Sequence, residues 1–284
     1  MKKIVILGAT GLIGHQVYLR LKAREEFEIF TMAHQRKMDN ETILLDARHE
    51  DLLSQKIREI NPDVIINCMG VLITKANADP AHAIFLNAYI PYCLKNIADR
   101  LGAKLVHIST DCVFSGGKGS YVETDFKDAD DIYGRSKGLG EVTGVPHLTL
   151  RTSVVGPELK EGEELFHWFM RQQGAIKGFT KSLWSGVTTV ELAKTVEWAI
   201  DNDIQGLYQV TNGIPINKYE LLMLFKKITN KNIEIEAVEG RVTNKTLVDT
   251  RQELNDPVPG YEDMLREMVS FIKAHPELYA SYSL

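Results

Sequence analysis

Cysteine is scarce in this sequence, with three residues among 284. Cys68, Cys93 and Cys112 are widely spaced, so they offer neither a disulfide framework nor the paired spacing of a zinc site. We therefore expect no bound metal and a reducing compartment.

Long hydrophobic runs are also lacking. Only Ile4 to Leu7 separate the basic N-terminus from Gly8, and this run is too short for the apolar core of a signal peptide. No window approaches the ~20 apolar residues that a membrane-spanning helix needs. These absences predict a cytoplasmic protein without a membrane partner.

An excess of basic residues is absent as well. The 33 Lys and Arg residues are outnumbered by 38 Asp and Glu residues, which gives a formal net charge of −5. Proteins that bind nucleic acid usually present a basic face, so we expect no nucleic-acid partner. An anionic small substrate stays compatible with this charge, because a net charge does not reveal a local cationic pocket.

What the sequence does contain is an alternation of short apolar runs and helical stretches through its first half. Strands are predicted at 4–7, 28–33, 43–45, 64–67 and 105–109, and helices at 12–23, 51–60 and 81–101. Apolar strands separated by helices are typical of a parallel sheet covered on both faces. The predicted fold class is therefore α/β, a Rossmann doubly wound parallel sheet with a smaller C-terminal α/β substrate-binding lobe. We assign residues 1–155 to the Rossmann domain, with part of 186–211 returning to it, and 156–284 to the interleaved lobe.

A glycine-rich turn follows the first predicted strand. Gly8, Gly11 and Gly14 have the spacing that permits a tight turn, a close approach of backbone to a pyrophosphate, and close packing of helix on strand. The N-terminus of the next helix supplies N–H groups and a positive dipole end to phosphates. We predict that a dinucleotide binds here through Gly8, Thr10, Gly11, Leu12, Ile13 and Gly14.

The end of the second predicted strand indicates which nicotinamide cofactor binds. NAD enzymes usually place an acid there for the ribose hydroxyls, whereas this chain has Arg36 and Lys37, which suit a 2′-phosphate. NADPH is therefore the predicted cofactor, and NADH stays open as an alternative. The remaining predicted cofactor contacts are Asp46 and Ala47 after the third strand, Cys68, Met69 and Gly70 after the fourth, and Tyr133 and Lys137.

Three residues form a candidate catalytic group. Tyr133 and Lys137 are four residues apart in sequence, so on a helix they lie on the same face. An adjacent ammonium stabilises a phenolate and lowers the pKa of the tyrosine, which lets the phenol exchange a proton with a substrate oxygen. Thr110, at the end of the fifth strand, can hydrogen-bond the same oxygen as charge develops on it.

The segments GATGLIG, STDCVFSG, YGRSK and LTLRTSVVGPEL together resemble the dTDP-4-dehydrorhamnose reductase family of extended short-chain dehydrogenases/reductases. The resemblance is good over about the first 155 residues and looser beyond them. It implies reduction of the 4-keto group of a nucleotide-linked 6-deoxyhexose, a precursor of cell-surface polysaccharide. By this resemblance Thr110, Tyr133 and Lys137 match the catalytic positions, and Asp111 matches a position that contacts the substrate.

The chain departs from the family at positions that border the sugar. Cys112 stands where members usually have an aromatic residue, and Val154 lies near the position of a usual tryptophan. Gln16 occupies a position where some members have the glutamate of a magnesium-linked dimer, and residues 184–189 replace the usual Asp-Gln-x-Gly-x-Pro-Thr segment. These departures favour a substrate other than the dTDP-rhamnose precursor, such as a UDP-linked N-acetylamino sugar. The predicted substrate contacts are Thr110, Asp111, Cys112, Val113, Arg151 and Trp184, with Arg151 or Lys181 at the diphosphate.

Two alternatives stay open beside a plain reductase. GDP-fucose synthase, a related epimerase-reductase, has a cysteine two residues after its catalytic hydroxyl, as Cys112 follows Thr110, and a histidine after a Gly-Pro loop, as His167 does here. In the first alternative Cys112 and His167 add epimerisation. In the second, the chain is an NADP-binding regulatory subunit without turnover. The oligomeric state is left open, with a homodimer among the options.

Overall fold

The computed structural model describes residues 1–160, 162–254, 256–282 and 284, and the chain forms two compact units. The first unit comprises Met1–Val113, Lys127–Arg151 and Ala193–Tyr208, and the second comprises Phe114–Phe126, Thr152–Leu192 and Gln209–Leu284. The sequence analysis placed residues 114–126 in the Rossmann domain. They belong instead to the second unit, where the Tyr121 N–H donates to the Thr246 carbonyl (2.8 Å).

The secondary structure follows the expected alternation through the first half of the chain. The strands are β1 (Lys2–Leu7), β2 (Phe27–Ala33), β3 (Ile43–Leu44), β4 (Val64–Asn67), β5 (Lys104–Thr110), β6 (Leu148–Thr152), β7 (Val154–Val155), β8 (Ala175–Phe179), β9 (Ser182–Trp184), β10 (Val187–Thr188), β11 (Gly206–Gln209), β12 (Ile216–Asn217), β13 (Glu234–Val238) and β14 (Thr243–Asn244). The helices are α1 (Gly14–Lys22), α2 (Glu50–Ile60), α3 (Ile73–Ala78), α4 (Pro80–Ile84), α5 (Ile90–Leu101), α6 (Ile132–Leu139), α7 (Leu165–Arg171), α8 (Thr189–Asp201), α9 (Lys218–Thr229) and α10 (Tyr261–Ala274).

The first unit is built around a sheet of seven strands in the order β11-β6-β5-β4-β1-β2-β3. β1 pairs in parallel with both β2 and β4, and β4 pairs in parallel with β5. Ile4 and Ile6 on β1 are fully buried, as expected for a strand covered on both faces. The order from β3 to β6 is that of a dinucleotide-binding doubly wound fold, so the predicted Rossmann fold is confirmed.

The predicted helix 81–101 is interrupted by a π-helical turn, Phe85–Tyr89, that separates α4 from α5. Pro91 lies in the first turn of α5 and has no N–H to donate to the carbonyl of Asn87. Gly140 lies against that carbonyl, where a Cβ would come within 1.9 Å of the oxygen. The wider π-helical turn therefore follows from the missing N–H of Pro91 and the close approach of Gly140. The apolar pattern of the sequence reveals neither.

The second unit contains small sheets with the strand orders β10-β7, β12-β9-β14 and β13-β8. β8 and β13 are parallel, and α9 packs on both. The ring of Phe166 lies edge-on to Phe225, with 5.2 Å between the ring centroids, and stacks on Tyr282 at 5.9 Å. Throughout the described residues of both units, every helix is too short or too polar to cross a membrane.

A buried carboxylate, that of Glu141, ties several elements of the first unit together. Glu141 accepts hydrogen bonds from Arg151 Nε (2.9 Å) and Nη2 (2.8 Å) and from the Ser109 hydroxyl (2.7 Å), and Lys127 Nζ lies 3.2 Å away. The side chains of Glu141 and Arg151 are each 1% exposed. Burial by itself would raise the pKa of Glu141, but these partners, Arg151 first, hold it below its usual value. The carboxylate is therefore ionised inside the unit.

We expect Arg151→Met to lower the free energy of unfolding by about 3–5 kcal/mol, because it leaves the Glu141 carboxylate buried without its bidentate partner. The matched control is Arg20→Met. Arg20 pairs with Glu197 but is 48% exposed, so its loss should cost about 1 kcal/mol or less. Urea denaturation measures the free energy of unfolding of both variants. Equal urea midpoints for the two variants would contradict a larger stabilisation by the buried pair.

Candidate active site

The turn between β1 and α1 brings the predicted glycines into a tight backbone cradle. Gly8 has a φ of +75°, and a Cβ there would come within 3.1 Å of the Cys68 backbone. A Cβ on Gly14 would lie 2.2 Å from the Gly8 carbonyl oxygen, so only glycine fits. α1 begins at Gly14 without a side-chain cap, so the positive end of its dipole lies at this turn. The predicted residues Thr10, Gly11, Leu12 and Ile13 form the rest of this turn.

The loop after β4 lies beside this cradle. The Cys68 N–H donates to the Leu7 carbonyl (3.0 Å), and the Met69 N–H donates to Asn67 Oδ1 (3.1 Å). Burial raises the pKa of the Cys68 thiol to about 12, so the thiol is a neutral lining group rather than a nucleophile. Cys68 and Met69 therefore adjoin the glycine turn, and Gly70 follows them along the loop.

Positive charge gathers after β2 and β3. Arg36 is exposed in the loop that follows β2. Asp46, the acid predicted to lie near the adenine, accepts a hydrogen bond from Arg48 Nε (2.9 Å) and lies 3.3 Å from His34 Nε2, while the adjacent Ala47 is buried. The bond from Arg48 holds the pKa of Asp46 well below its usual value. The sequence analysis missed Arg48, although its place two residues after Asp46 was a usable signal.

Thr110 and Tyr133 meet at the carboxyl end of β5. Thr110 ends the strand, where its hydroxyl donates to Asp111 Oδ1 (3.2 Å), and Tyr133 lies in the first turn of α6. Burial raises the pKa of the Tyr133 phenol above its usual value, Cys112 adds to this, and the Thr110 hydroxyl opposes it. The phenol therefore carries its proton at neutral pH and is suited to donate it.

Lys137 lies one turn further along α6 and is 5% exposed. Its amine donates to the Ile108 carbonyl (2.6 Å) and lies 3.4 Å from His107 Nε2. Burial lowers the pKa of Lys137 to about 8. The sequence analysis expected Lys137 to lower the pKa of Tyr133. In the structure the Lys137 amine donates to a carbonyl of β5 instead. The largest effect on the pKa of Tyr133 is burial, which raises it.

The 3₁₀ turn Asp111–Val113 packs directly against α6. A Cβ on Gly134 would lie 2.1 Å from the Cys112 carbonyl oxygen, and the Cys112 N–H donates to Thr110 Oγ1 (3.1 Å). The predicted substrate residues in this turn are buried except for Cys112, which is half-buried. They therefore lie next to Thr110 and Tyr133. Gly134 was not predicted, because its requirement comes from a segment some twenty residues earlier in the chain.

Three residues singled out in the sequence lie in other surroundings. Arg151 is engaged in the buried ion pair described above, so we leave it out of the proposed substrate contacts. Trp184 is 4% exposed and packs beside Tyr261 with 5.7 Å between ring centroids. His167 is buried in the second unit, with Nδ1 2.6 Å from the Tyr282 hydroxyl. Burial of Trp184 leaves little of its ring surface for a sugar.

The second unit carries a pocket of about 380 Å³. Its walls include the rings of Trp168 and Phe179 and the side chains of Lys177 and Lys218. The carboxylate of Glu163 also lines the pocket, so charges of both signs meet there. The sequence analysis did not single out any of these residues.

We expect Gly134→Ala to lower the free energy of unfolding by about 1–3 kcal/mol, because the new methyl group forces α6 away from the Cys112 carbonyl. Gly138→Ala on the same helix is the matched control. The nearest atom to its added Cβ would be 3.4 Å away, on the flexible side chain of Lys127, and alanine favours a helix. Thermal unfolding of both variants measures the effect. A Gly134→Ala variant as stable as Gly138→Ala would show that the two segments do not need their close approach.

Known proteins resemble this chain in both sequence and structure. The RmlD substrate binding domain family matches residues 1–241. The spore coat polysaccharide biosynthesis protein SpsK of Bacillus subtilis (strain 168) is 28% identical over 227 residues, which is 78% of this chain and 77% of that protein. The dTDP-4-dehydrorhamnose reductase of Salmonella typhimurium (strain LT2) is 37% identical over 158 residues, 54% of this chain and about half, 51%, of that reductase.

A solved structure shares the fold. The dTDP-4-dehydrorhamnose reductase of Bacillus anthracis (strain Ames), determined in complex with NADP, superposes with a TM-score of 0.83 at 23% identity. The alignment covers 95% of this chain and 100% of that one. Together with the match over residues 1–241, this confirms the predicted relationship. The chain belongs to the RmlD substrate binding domain family, the dTDP-4-dehydrorhamnose reductase-like group of extended short-chain dehydrogenases/reductases.

Proposed function

We propose that this chain is an NADPH-dependent reductase of a nucleotide-linked 4-keto-6-deoxyhexose. The observation that carries the proposal is the placement of Thr110, Tyr133 and the buried Lys137 at the end of β5, in the unit that also holds the glycine turn. A carbonyl reductase needs a dinucleotide site and a proton donor on one framework. Membership of a family whose relatives include named dTDP-4-dehydrorhamnose reductases supports the same reaction.

In the proposed reaction the nicotinamide, when bound, supplies a hydride to carbon 4 of the sugar. Tyr133 donates its proton to the carbonyl oxygen, so that the ketone becomes a hydroxyl group. The Thr110 hydroxyl hydrogen-bonds the oxygen on which negative charge develops. The Lys137 amine, held by the Ile108 carbonyl, orients the nicotinamide ribose. A solvent proton then restores the phenol.

The described residues fit a dinucleotide with a 2′-phosphate. Gly8 and Gly14 let the turn fold tightly against the protein's own backbone, and α1 begins there with the positive end of its dipole. Arg36 is exposed after β2. Arg48 pairs with the carboxylate of Asp46, and its positive charge offsets the negative charge that would repel a phosphate. The NADP complex of the Bacillus anthracis reductase agrees with this choice, and NADH stays an alternative.

The sugar itself is the finer part of the proposal. Cys112 stands where the family usually has an aromatic residue, and Val154 lies near the position of a usual tryptophan. These departures favour another sugar, for which we propose a UDP-linked N-acetylamino sugar. The name of the Bacillus subtilis relative, a spore coat polysaccharide biosynthesis protein, supports a precursor of polysaccharide. All three cysteines are thiols that form no disulfide, which supports a cytoplasmic setting for the reaction.

One experiment separates this function from its two alternatives. The chain is incubated with NADPH and a panel of UDP- and dTDP-4-keto sugars in heavy water, and the products are analysed by NMR. A plain reductase incorporates no solvent deuterium at carbons 3 and 5. Incorporation there that is lost in Cys112→Ala would replace the proposal by epimerisation and reduction. No turnover of any sugar, with NADPH still bound, would favour the regulatory subunit.

We expect Tyr133→Phe to lower kcat by roughly 100-fold or more, because a general acid contributes about 10²–10⁴-fold. NADPH affinity should stay near that of the wild type, since the glycine cradle is untouched. Steady-state kinetics and a fluorescence titration with NADPH measure the two quantities. Tyr89→Phe is the matched control, because its phenol is half exposed on the surface and bonds to Glu50. Full activity in Tyr133→Phe would rule out the proposed proton donor.

We expect the wild type to prefer NADPH over NADH and Arg36→Ala to narrow that preference about tenfold, since one charge-assisted contact to a phosphate is worth about 1.5–3 kcal/mol. Arg58→Ala, at an exposed arginine of α2, is the control and should leave the preference unchanged. The preference is measured as the ratio of kcat/KM with NADPH to kcat/KM with NADH. Equal kcat/KM values in the wild type would overturn the cofactor assignment.

A further inference from the structure

The loop of residues 34–42, between β2 and β3, is fixed at its far end by Asp39. The Asp39 carboxylate accepts hydrogen bonds from the Thr42 hydroxyl (3.0 Å) and the Glu41 N–H (3.1 Å). Thr42 Oγ1 in turn accepts from the Asp39 N–H (3.1 Å) and from the Thr31 hydroxyl of β2 (2.9 Å). Thr31 and Thr42 are both buried, so this end of the loop is anchored inside the first unit.

Two side chains of α1 bind the same carboxylate. The Tyr18 hydroxyl donates to Asp39 Oδ2 and accepts a hydrogen bond from Lys22 Nζ, which also lies 3.6 Å from Asp39 Oδ2. Tyr18 is 4% exposed. Burial by itself would raise the pKa of Asp39, but hydrogen bonds from Tyr18 and Thr42 hold it below its usual value, so the carboxylate is ionised. Asp39 is thus bonded to α1 as well as to Thr42.

The near end of the loop is tied to the glycine turn. The Met32 carbonyl of β2 accepts hydrogen bonds from the Gly8 N–H (3.0 Å) and the Ala9 N–H (3.1 Å). The Leu45 N–H donates to the carbonyl of Ala33, the last residue of β2 (2.8 Å). In doubly wound folds, a dinucleotide whose pyrophosphate lies at the glycine turn places its adenosine ribose near the end of the second strand. The loop is therefore fixed on both sides of the segment that would face a 2′-phosphate.

That segment, residues 34–37, is exposed and carries two cations in different surroundings. Lys37 Nζ donates to the Asn40 carbonyl (3.2 Å), so this ammonium bonds to the backbone of its own loop. No described residue pairs with the guanidinium of Arg36, which is therefore available to an anion. Arg36 precedes Asp39 by only three residues, so the place at which Asp39 is held limits where the guanidinium can lie.

We propose that Asp39 and Tyr18 are positioning residues that hold Arg36 at the 2′-phosphate of NADPH and so set the preference for NADPH over NADH. This inference rests on the proposed function, because it concerns the cofactor of that reaction. A guanidinium gains most from a phosphate when two of its N–H groups face two oxygens, which requires a fixed approach. A loop that is ordered before binding also loses less conformational entropy when the phosphate arrives. A loosened loop would keep the charge of Arg36 but lose both advantages.

Tyr18→Phe removes the hydroxyl that joins Asp39 to α1, while the charge of the loop and the buried ring are kept. We expect the affinity for NADPH to fall about fivefold, the usual size of one lost hydrogen bond, and the affinity for NADH to stay unchanged. Fluorescence titrations with each cofactor measure the two dissociation constants without any sugar substrate. Tyr208→Phe is the matched control, because this tyrosine is fully buried on β11, at the edge of the sheet farthest from β3. It should leave both affinities unchanged.

Two further variants test whether Tyr18 and Asp39 act through Arg36. In the Arg36→Ala background, Tyr18→Phe should change the NADPH affinity by less than about twofold, because the group that it positions is gone. Asp39→Ala removes a negative charge from the loop, which by electrostatics alone would raise the affinity for a phosphate. We expect Asp39→Ala to lower the NADPH affinity instead, about fivefold or more. Because Asp39 is only half-buried, this variant decides the question if Tyr18→Phe does not fold.

The outcomes separate this inference from the proposed function. A purely structural role for Tyr18 would lower the affinities for NADPH and NADH by the same factor, or would give the same loss with and without Arg36. Either result would overturn the inference, as would a higher NADPH affinity in Asp39→Ala. A wild type that prefers NADPH, with the full preference kept in Tyr18→Phe, would overturn the inference alone. A wild type with equal affinity for the two cofactors would overturn the cofactor assignment of the proposed function as well.

Discussion

The hydrogen-bonded register of β1, β4 and β5 is the constraint on which the candidate active site depends. Leu7 pairs with Asn67, and Asn67 pairs with His107, so three strands end side by side at one edge of the sheet. The glycine turn follows Leu7 directly, and Thr110 lies three residues after His107. A shift of one residue in any of these strands would turn its buried side chains to the opposite face. The register therefore fixes the positions of both the glycine turn and the segment that ends at Thr110.

Burial at this edge of the sheet determines which groups are charged. Tyr133 and His107 are held in their neutral forms because removal from water penalises the charged state. Glu141 is the exception, since Arg151 and Ser109 replace the water that it loses. An ionised carboxylate thus lies four residues after Lys137, just beyond the end of α6, and opposes the effect of burial on that amine. The same packing that stabilises the unit also sets the protonation of the site.

Patterns that act over a few residues were predictable from the sequence. The turn Gly8–Gly14 and the pair Tyr133 and Lys137 depend on spacing within one turn or one helix. The start of α9 is fixed by a capping box of Asn217 and Glu220, which are three residues apart in sequence. The Rossmann fold follows from the same local signals taken in order along the chain.

Long-range contacts decided what the sequence alone could not. The sequence predicts that Arg151 contacts the substrate, but in the fold its guanidinium forms a buried ion pair with Glu141. His107 lies within the predicted strand 105–109, and the fold places it between Asn67 and Lys137, which are 40 and 30 residues away in sequence. The sequence by itself determined the type of fold and the residues of the glycine turn and the Tyr-Lys pair, because these depend on neighbours along the chain. Only the tertiary structure decided which charged and polar groups are available for chemistry, because burial and partners come from distant segments.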